Sequence, residues 1–435
     1  MRADEYKSIL CNAIGEVTSM RGNFSTDVRG FTRERKLSCE TVMRLLLSMD
    51  GGSLARELHK AGIEVTPSAF VQQRHKIASS AFGDVLSRFN GACSDNELYR
   101  GYRLLAVDGA TVNLPYNPKA ASFLSVPGNP KGGYNALHLN PFYDILNKTY
   151  FDCIVQPQPK ADEIGALNTL LYRNRFATKT LIIADRGYES YNTIAHLYNT
   201  PNIDFLIRVK QDRSSMREIG KLPMIELDKS VAFVITTTQT NADKAENRIF
   251  LQTGSKKGKA NSTGTRITRW DFPSPYMMAF RVIRFMLDSG EYETLITSLD
   301  RSFSMDELKK LYHMRWGIET SFRQLKYCVG LTNLHGKSDE FAAQELYAAL
   351  TMYNFCNRIS REAVIEQKRE RVYEYRVNLT MAIYLCKEYF RTQNADGEKL
   401  LCDIAKYTEP VRPGRQDARN LKTKSFVGFT YRVAA

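Results

Sequence analysis

Between Tyr102 and Lys210 the chain reads strand, strand, strand, helix, strand, helix, strand, and that order leaves few folds open. Residues 103–107 (Arg-Leu-Leu-Ala-Val) form a short buried-strand pattern that stops at Asp108-Gly109 and resumes as Ala-Thr-Val-Asn-Leu. Two further strand-like runs, 134–145 and 150–155, follow a loop rich in Pro, Gly, Asn and Lys. Asp162 then opens a helix with Leu167, Leu170 and Leu171 on one side. Residues 180–184 (Thr-Leu-Ile-Ile-Ala) are the most apolar strand and end in Asp185-Arg186-Gly187-Tyr188; a helix at 191–198 and a strand at 204–210 complete the series. Both acids have an ordinary explanation. Asp-Gly between apolar runs is a hairpin signal, and Asp before a nearby Gly is a common turn former. The C-terminal ends of strands in open sheets are also where ligand groups collect.

The second informative stretch is 304–326, SMDELKKLYHMRWGIETSFRQLK. Ser304 followed by Glu307 is a capping-box start, and the spacing predicts a helix of about six turns. At about 100° per residue, Leu311, Met314, Ile318, Phe322 and Leu325 share one sector, and Tyr312, Arg315, Glu319 and Lys326 share the adjoining one. A solvated face with an Arg–Glu pair one turn apart explains the polar row. Its position beside the apolar seam, rather than opposite it, points the row along the edge of whatever the helix covers. Trp316 suits either the core or stacking on an unpaired base.

Tyr312, Arg315, Glu319 and Lys326, at those spacings, resemble the YREK signature of the insertion-sequence-four family of DDE transposases, and Asp108 and Asp185 upstream agree with it. The resemblance is strongest from about residue 104 to 326. It implies an α/β fold with a ribonuclease-H-like catalytic core, a mixed sheet flanked by helices, which the element order also suggests. In the family a β-rich insertion lies between the second Asp and the Glu. The expected division is a helical DNA-end-binding domain at 1–98, core at 99–210, insertion at 211–302, catalytic Glu helix at 303–336, and a helical C-terminal region with a basic tail at 337–435. Asp108, Asp185 and Glu319 are the expected catalytic and metal-binding trio. Hard oxygen ligands suit Mg²⁺ or Mn²⁺, and two such ions would serve phosphodiester cleavage and strand transfer. For Tyr312, Arg315 and Lys326 the resemblance implies contacts to transposon-end phosphates, and Trp316 joins them as a DNA-binding candidate. The expected function is that of an insertion-sequence transposase on double-stranded DNA, terminal inverted repeats and target alike, working as a homodimer on DNA. A metal-dependent nuclease without strand transfer and a non-catalytic DNA-binding relic are the competing readings.

Charge agrees with a polyanionic partner. Lys plus Arg number 61 against 47 Asp plus Glu, a formal net charge of +14. No apolar run reaches the ~18 residues of a membrane span, Asp4 and Glu5 stand where a signal peptide would be cationic then apolar, and eight scattered cysteines without a C-x-x-C pair fit reduced thiols. These features fit a cytoplasm, and the resemblance implies a bacterial one, near the nucleoid. Helices opened at Ser38, Ser53 and Thr66-Pro67 precede the core, and the last two, joined across Gly62, read as a helix-turn-helix whose second member carries Gln72, Gln73, Arg74, His75 and Lys76. Small-helix packing gives the same pattern. The basic approach Arg29, Arg33, Arg35, Lys36 favours DNA. In the insertion, strands are expected at 231–237, 248–253, 266–271, 277–286 and 292–299, with a basic loop at 254–264; basic and aromatic residues alternate in the tail at 411–435.

Overall fold

The computed structural model describes residues 2–27, 30–33, 35–95, 97–129, 131–210, 216–253, 269–331, 334–367 and 372–412. The basic loop at 254–264 and the tail beyond residue 412 lie outside them, as does Arg29. Five helices come first: α1 (Ala3–Ser19), α2 (Cys39–Ser48), α3 (Leu54–Lys60), α4 (Pro67–Arg74) and α5 (Ser79–Ala92). Their starts follow the expected chemistry. Ser38, Ser53 and Thr66 each accept a hydrogen bond from the backbone N–H three residues on, and Pro67 fills a position that needs no N–H.

The core follows as β1 (Arg103–Val107), β2 (Ala110–Leu114), β3 (Phe123–Ser125), β4 (Gly133–Asp144), β5 (Thr149–Pro157), α6 (Glu163–Arg173), β6 (Thr180–Ala184), α7 (Tyr191–Tyr198) and β7 (Ile203–Val209). In the sheet β5 lies beside β4, β4 beside β1, β1 beside β6 and β6 beside β7. The β4 and β5 pairings are antiparallel, and β1, β6 and β7 run parallel. This is the ribonuclease-H-like arrangement that the element order predicts. Asp108-Gly109 is not a hairpin. Both β1 and β2 pair with β4, Leu105 opposite Asp144 and Ala110 opposite Leu139, so one strand passes through the two residues without a change of register.

The segment 211–302 adds α8 (Arg217–Gly220), β8 (Leu227–Thr236), α9 (Asn241–Ala245), β9 (Ile249–Phe250), β10 (Tyr276–Met286) and β11 (Tyr292–Thr297). Its strands extend the core sheet rather than forming another: β11 pairs with β7, β10 with β11, β8 with β10 and β9 with β8. The expected strand at 266–271 is not found among its described residues, 269–271, which are irregular.

Two helical layers cover the sheet. Leu105, Val107, Ile182 and Ala184 face α6 and α7, whereas Leu104, Ala106, Leu181 and Ile183 face the opposite layer. That layer contains α10 (Met305–Met314), α11 (Trp316–Gln324), α12 (Asp339–Glu362), α13 (Leu379–Arg391) and α14 (Gly397–Lys406), together with α1, α2 and α5. Leu10, Phe82, Phe89, Tyr353 and Phe355 join its core, each fully buried large side chain being worth about 1.5–3 kcal/mol.

The predicted six-turn helix is segmented. Arg315 N–H bonds to the Tyr312 carbonyl, and Ile318 N–H to the Arg315 carbonyl, three-residue steps that tighten the chain between α10 and α11. A π turn, Leu325–Val329, widens it again and ends at Gly330, whose φ of 99° suits glycine. Ser304 Oγ caps the start, accepting from Glu307 N–H at 3.2 Å. Ser304→Ala is therefore expected to lower unfolding free energy by about 1 kcal/mol in a urea titration.

Two of the five helix-turn-helix candidates are corrected, whereas Gln72 and His75 stay exposed and Lys76 half-buried. Arg74 is 3% exposed, its Nη1 2.8 Å from Glu345 on α12, its Nε donating to Gln344 Oε1 at 2.7 Å, and Gln73 is also buried. Basic chemistry at that position anchors α4 to α12 and is not available to read bases. All eight cysteines are free thiols. Among the described residues no helix is long and apolar enough to cross a membrane.

Candidate active site

Side-chain alternation aims the first two acids. Asp108 continues the parity of Leu104 and Ala106, Asp185 that of Leu181 and Ile183, so both point toward the layer that holds α10 and α11. Arg315 comes down beside Asp108. Its Nη1 donates to Asp108 Oδ2 at 3.3 Å and its Nη2 to Glu319 Oε1 at 3.3 Å. Tyr312 donates its hydroxyl to Asp185 Oδ1 at 3.0 Å. Two strand ends and one helix thus bring together three acids, a phenol and a guanidinium.

The row is not a solvated helix face. Tyr312 is 3% and Arg315 5% exposed, and Leu311, Ile318, Phe322 and Leu325 are buried beside them as the seam predicts. Burial pushes the Asp108 carboxyl above its ordinary range; the Gly109 N–H and Arg315 oppose this, and Glu319 and Glu163 add to it. Burial alone would lower the Arg315 pKa, but Tyr312, Asp108, Asp185 and Glu319 outweigh it and hold the guanidinium charged. The Tyr312 hydroxyl is pushed well up, first by burial and then by Asp185. Lys326 lies half-buried in the π turn, where burial lowers its pKa. Trp316 is 50% exposed, which removes the core reading, and one face lies 5.9 Å from the Arg315 guanidinium.

Several site residues have no counterpart among the sequence candidates. Arg208 on β7 reaches toward Asp185 at 4.0 Å and forms an ion pair with Glu293 on β11 at 3.2 Å. Glu293 is buried, which raises its pKa. Glu163 opens α6 and meets His138 Nε2 at 3.0 Å. Tyr188, at 1% exposure, lies among the charges of Glu163, Asp108, Arg315 and Asp185. The available signal was charge inside an apolar strand, as in Ile-Arg-Val at 207–209. Among the described residues no three Asp, Glu, His or Cys groups converge on one metal-sized point, and Arg315 stands between Asp108 and Glu319. The donors themselves, hard carboxylate oxygens with a phenol close by, are of the type that suits Mg²⁺ or Mn²⁺.

The family model described as transposase DDE domain matches residues 99–355, more than half of the 435. The chain belongs to the DDE transposase family. That range runs from β1 to the middle of α12 and so contains all three acids and the whole Tyr312–Lys326 row. DDE transposases typically use divalent metal ions. No curated protein matches the chain. A cryo-EM structure of a piggyBac transposase synaptic complex with hairpin DNA is similar at a TM-score of 0.42 and 10% identity, over 95% of this chain and 86% of that one, too loose a likeness to transfer any residue role.

Proposed function

We propose that this DDE transposase is of the insertion-sequence-four type, and that it binds the terminal inverted repeats of an insertion sequence, cleaves them and joins the 3′ ends to target DNA. The observation that carries the reading is the Arg315 guanidinium held between Asp108 and Glu319 while Tyr312 holds Asp185. Every typed position of the acidic trio is present and all three are linked through the row, which a relic would have no reason to keep.

Asp108, Asp185 and Glu319 are the residues to hold two Mg²⁺ or Mn²⁺ ions. When bound, such ions activate a water or 3′-hydroxyl and stabilise the leaving oxygen of a phosphodiester. Arg315 and Lys326 supply positive charge and Tyr312 a hydroxyl to non-bridging phosphate oxygens, which fixes the scissile strand against the acids. The exposed face of Trp316 offers a stacking surface to an unpaired base. The helical segment 1–98 and the basic tail supply further DNA contacts, 211–302 is the insertion, and two copies hold paired ends. Such a protein works in a bacterial cytoplasm on nucleoid DNA.

Purified protein incubated with Mg²⁺ and a plasmid that carries the DNA flanking its own gene tests the reading. Excised and rejoined products are expected; cuts without joints would leave a nuclease, and intact plasmid would remove the enzymatic reading. Binding to that DNA is also expected to weaken steeply with salt, with a log–log slope of about −0.9 per neutralised phosphate. A slope near zero in a fluorescence-anisotropy series would mean that the net charge of +14 is not a DNA surface.

A further inference from the structure

Glu163 occupies a position that the trio does not explain. It is the first residue of α6 and packs against the backbone that follows each aspartate. A Cβ on Gly109 would run into Glu163 Oε1 and come within 2.5 Å of His138 Nε2; one on Gly187 would lie 3.6 Å from Glu163 Oε2. One carboxylate therefore spans the residue after Asp108 and the residue two beyond Asp185. His138 holds Oε1 at 3.0 Å, and the side chain remains 40% exposed.

Two observations point to a missing occupant. The Tyr188 hydroxyl is buried without a hydrogen-bond partner, and the charges that act on it are Glu163, Asp108, Arg315 and Asp185. An orphaned buried hydroxyl is costly unless a ligand or its water completes it. The charges also do not balance. Asp108 has Glu319 and Glu163 near it against Arg315 alone, an excess of like charge that an added cation would relieve.

We infer that Glu163 is a fourth carboxylate of the divalent-cation centre, oriented by His138, and that the Tyr188 hydroxyl takes a water or oxygen bound to the ion. The inference rests on the metal-dependent reading above. His138 holds Glu163 Oε1, while Oε2 lies on the side of Gly187, two residues beyond Asp185, so the carboxylate would approach an ion through that one oxygen. Tyr188 then acts as a positioning residue, with no direct contact to the DNA phosphates.

Isothermal titration of the full chain with Mn²⁺ alone tests this on the parent and on Glu163→Gln, His138→Gln, His138→Ala, Tyr188→Phe and Asp108→Asn, with thermal melts alongside. Glu163→Gln is expected to weaken Mn²⁺ affinity about tenfold or more, His138→Gln, whose amide N–H can still donate to Oε1, by less, and His138→Ala, which removes the orienting donor, about tenfold. Tyr188→Phe is expected to weaken affinity severalfold without lowering the melting temperature, since it removes an unsatisfied hydroxyl; it remains decisive even where Glu163→Gln folds poorly. Equal losses in Glu163→Gln and His138→Gln would make the pair a structural strut and overturn the inference. Unchanged affinity in Glu163→Gln and Tyr188→Phe, with a loss in Asp108→Asn, would overturn it and leave the trio standing. A parent that binds no Mn²⁺ would overturn both this inference and the metal-dependent reading.

Discussion

Asp108→Asn, Asp185→Asn and Glu319→Gln are each expected to reduce DNA cleavage by more than about a thousandfold while end binding persists. Each change removes one ligand charge at constant volume, and ion-borne stabilisation of the transition state is worth several kcal/mol, with 1.36 kcal/mol per factor of ten. The three acids sit at similar depths, their side chains 29%, 33% and 35% exposed for Asp108, Asp185 and Glu319, so comparable losses are expected from all three. Single-turnover cleavage with a gel-shift control reads both quantities. Any variant that retains more than a few per cent of the parent rate would lose its place in the trio.

The next largest effect belongs to Arg315. As a surface pair with Glu319 it would contribute at most about 1 kcal/mol. Its side chain is instead 6% exposed, between carboxylates 29% and 35% exposed. Removal leaves Asp108 and Glu319 without their shared cation. Breaking a fully buried pair costs about 3–5 kcal/mol, and solvent screening of the two acids reduces that to about 1–3 kcal/mol. Arg315→Ala is expected to lose that stability and also about 10²–10³-fold in cleavage, the scale for a lost charge-stabilising donor. Added Mg²⁺ should restore more melting temperature to Arg315→Ala than to the parent, because an ion then supplies the missing charge. Lys326→Ala, in the π turn, should weaken DNA engagement with little change in stability. Parental cutting by Arg315→Ala at a lowered melting temperature would reduce the signature to a structural ion pair.

Local periodicity carried most of what could be read in the sequence. Alternation in 103–107 and 180–184 aims both aspartates, and the seam of Leu311, Ile318, Phe322 and Leu325 places the row beside them. What escaped depends on partners distant in the chain. Arg74 looks like a reading residue until Glu345 is seen beside it. The Asp108-Gly109 corner looks like a hairpin because the deciding strand, β4, begins 24 residues later, at Gly133. Strands of the 211–302 segment were legible, yet their addition to the core sheet was not, since β11 chooses β7 through tertiary contact. Glu163 and Tyr188 carried no signal because neither stands at a motif spacing; the fold alone brings them to the site.

The constant register on either side of Asp108 has a mechanical meaning. β4 clamps the chain on both sides of that residue, so opening it requires disrupting the central sheet and with it most of the global stability. Asp185 follows the last paired residue of β6 and leads straight into a short 3₁₀ turn, and Glu319 rides on a helix tightened before it and widened after it. The three acids therefore differ in compliance: one is a fixed datum, and the other two can adjust by small local motions. Assembly on DNA would then be a convergence onto Asp108, with the adaptable pair absorbing the changes in geometry as the phosphate passes from substrate to product.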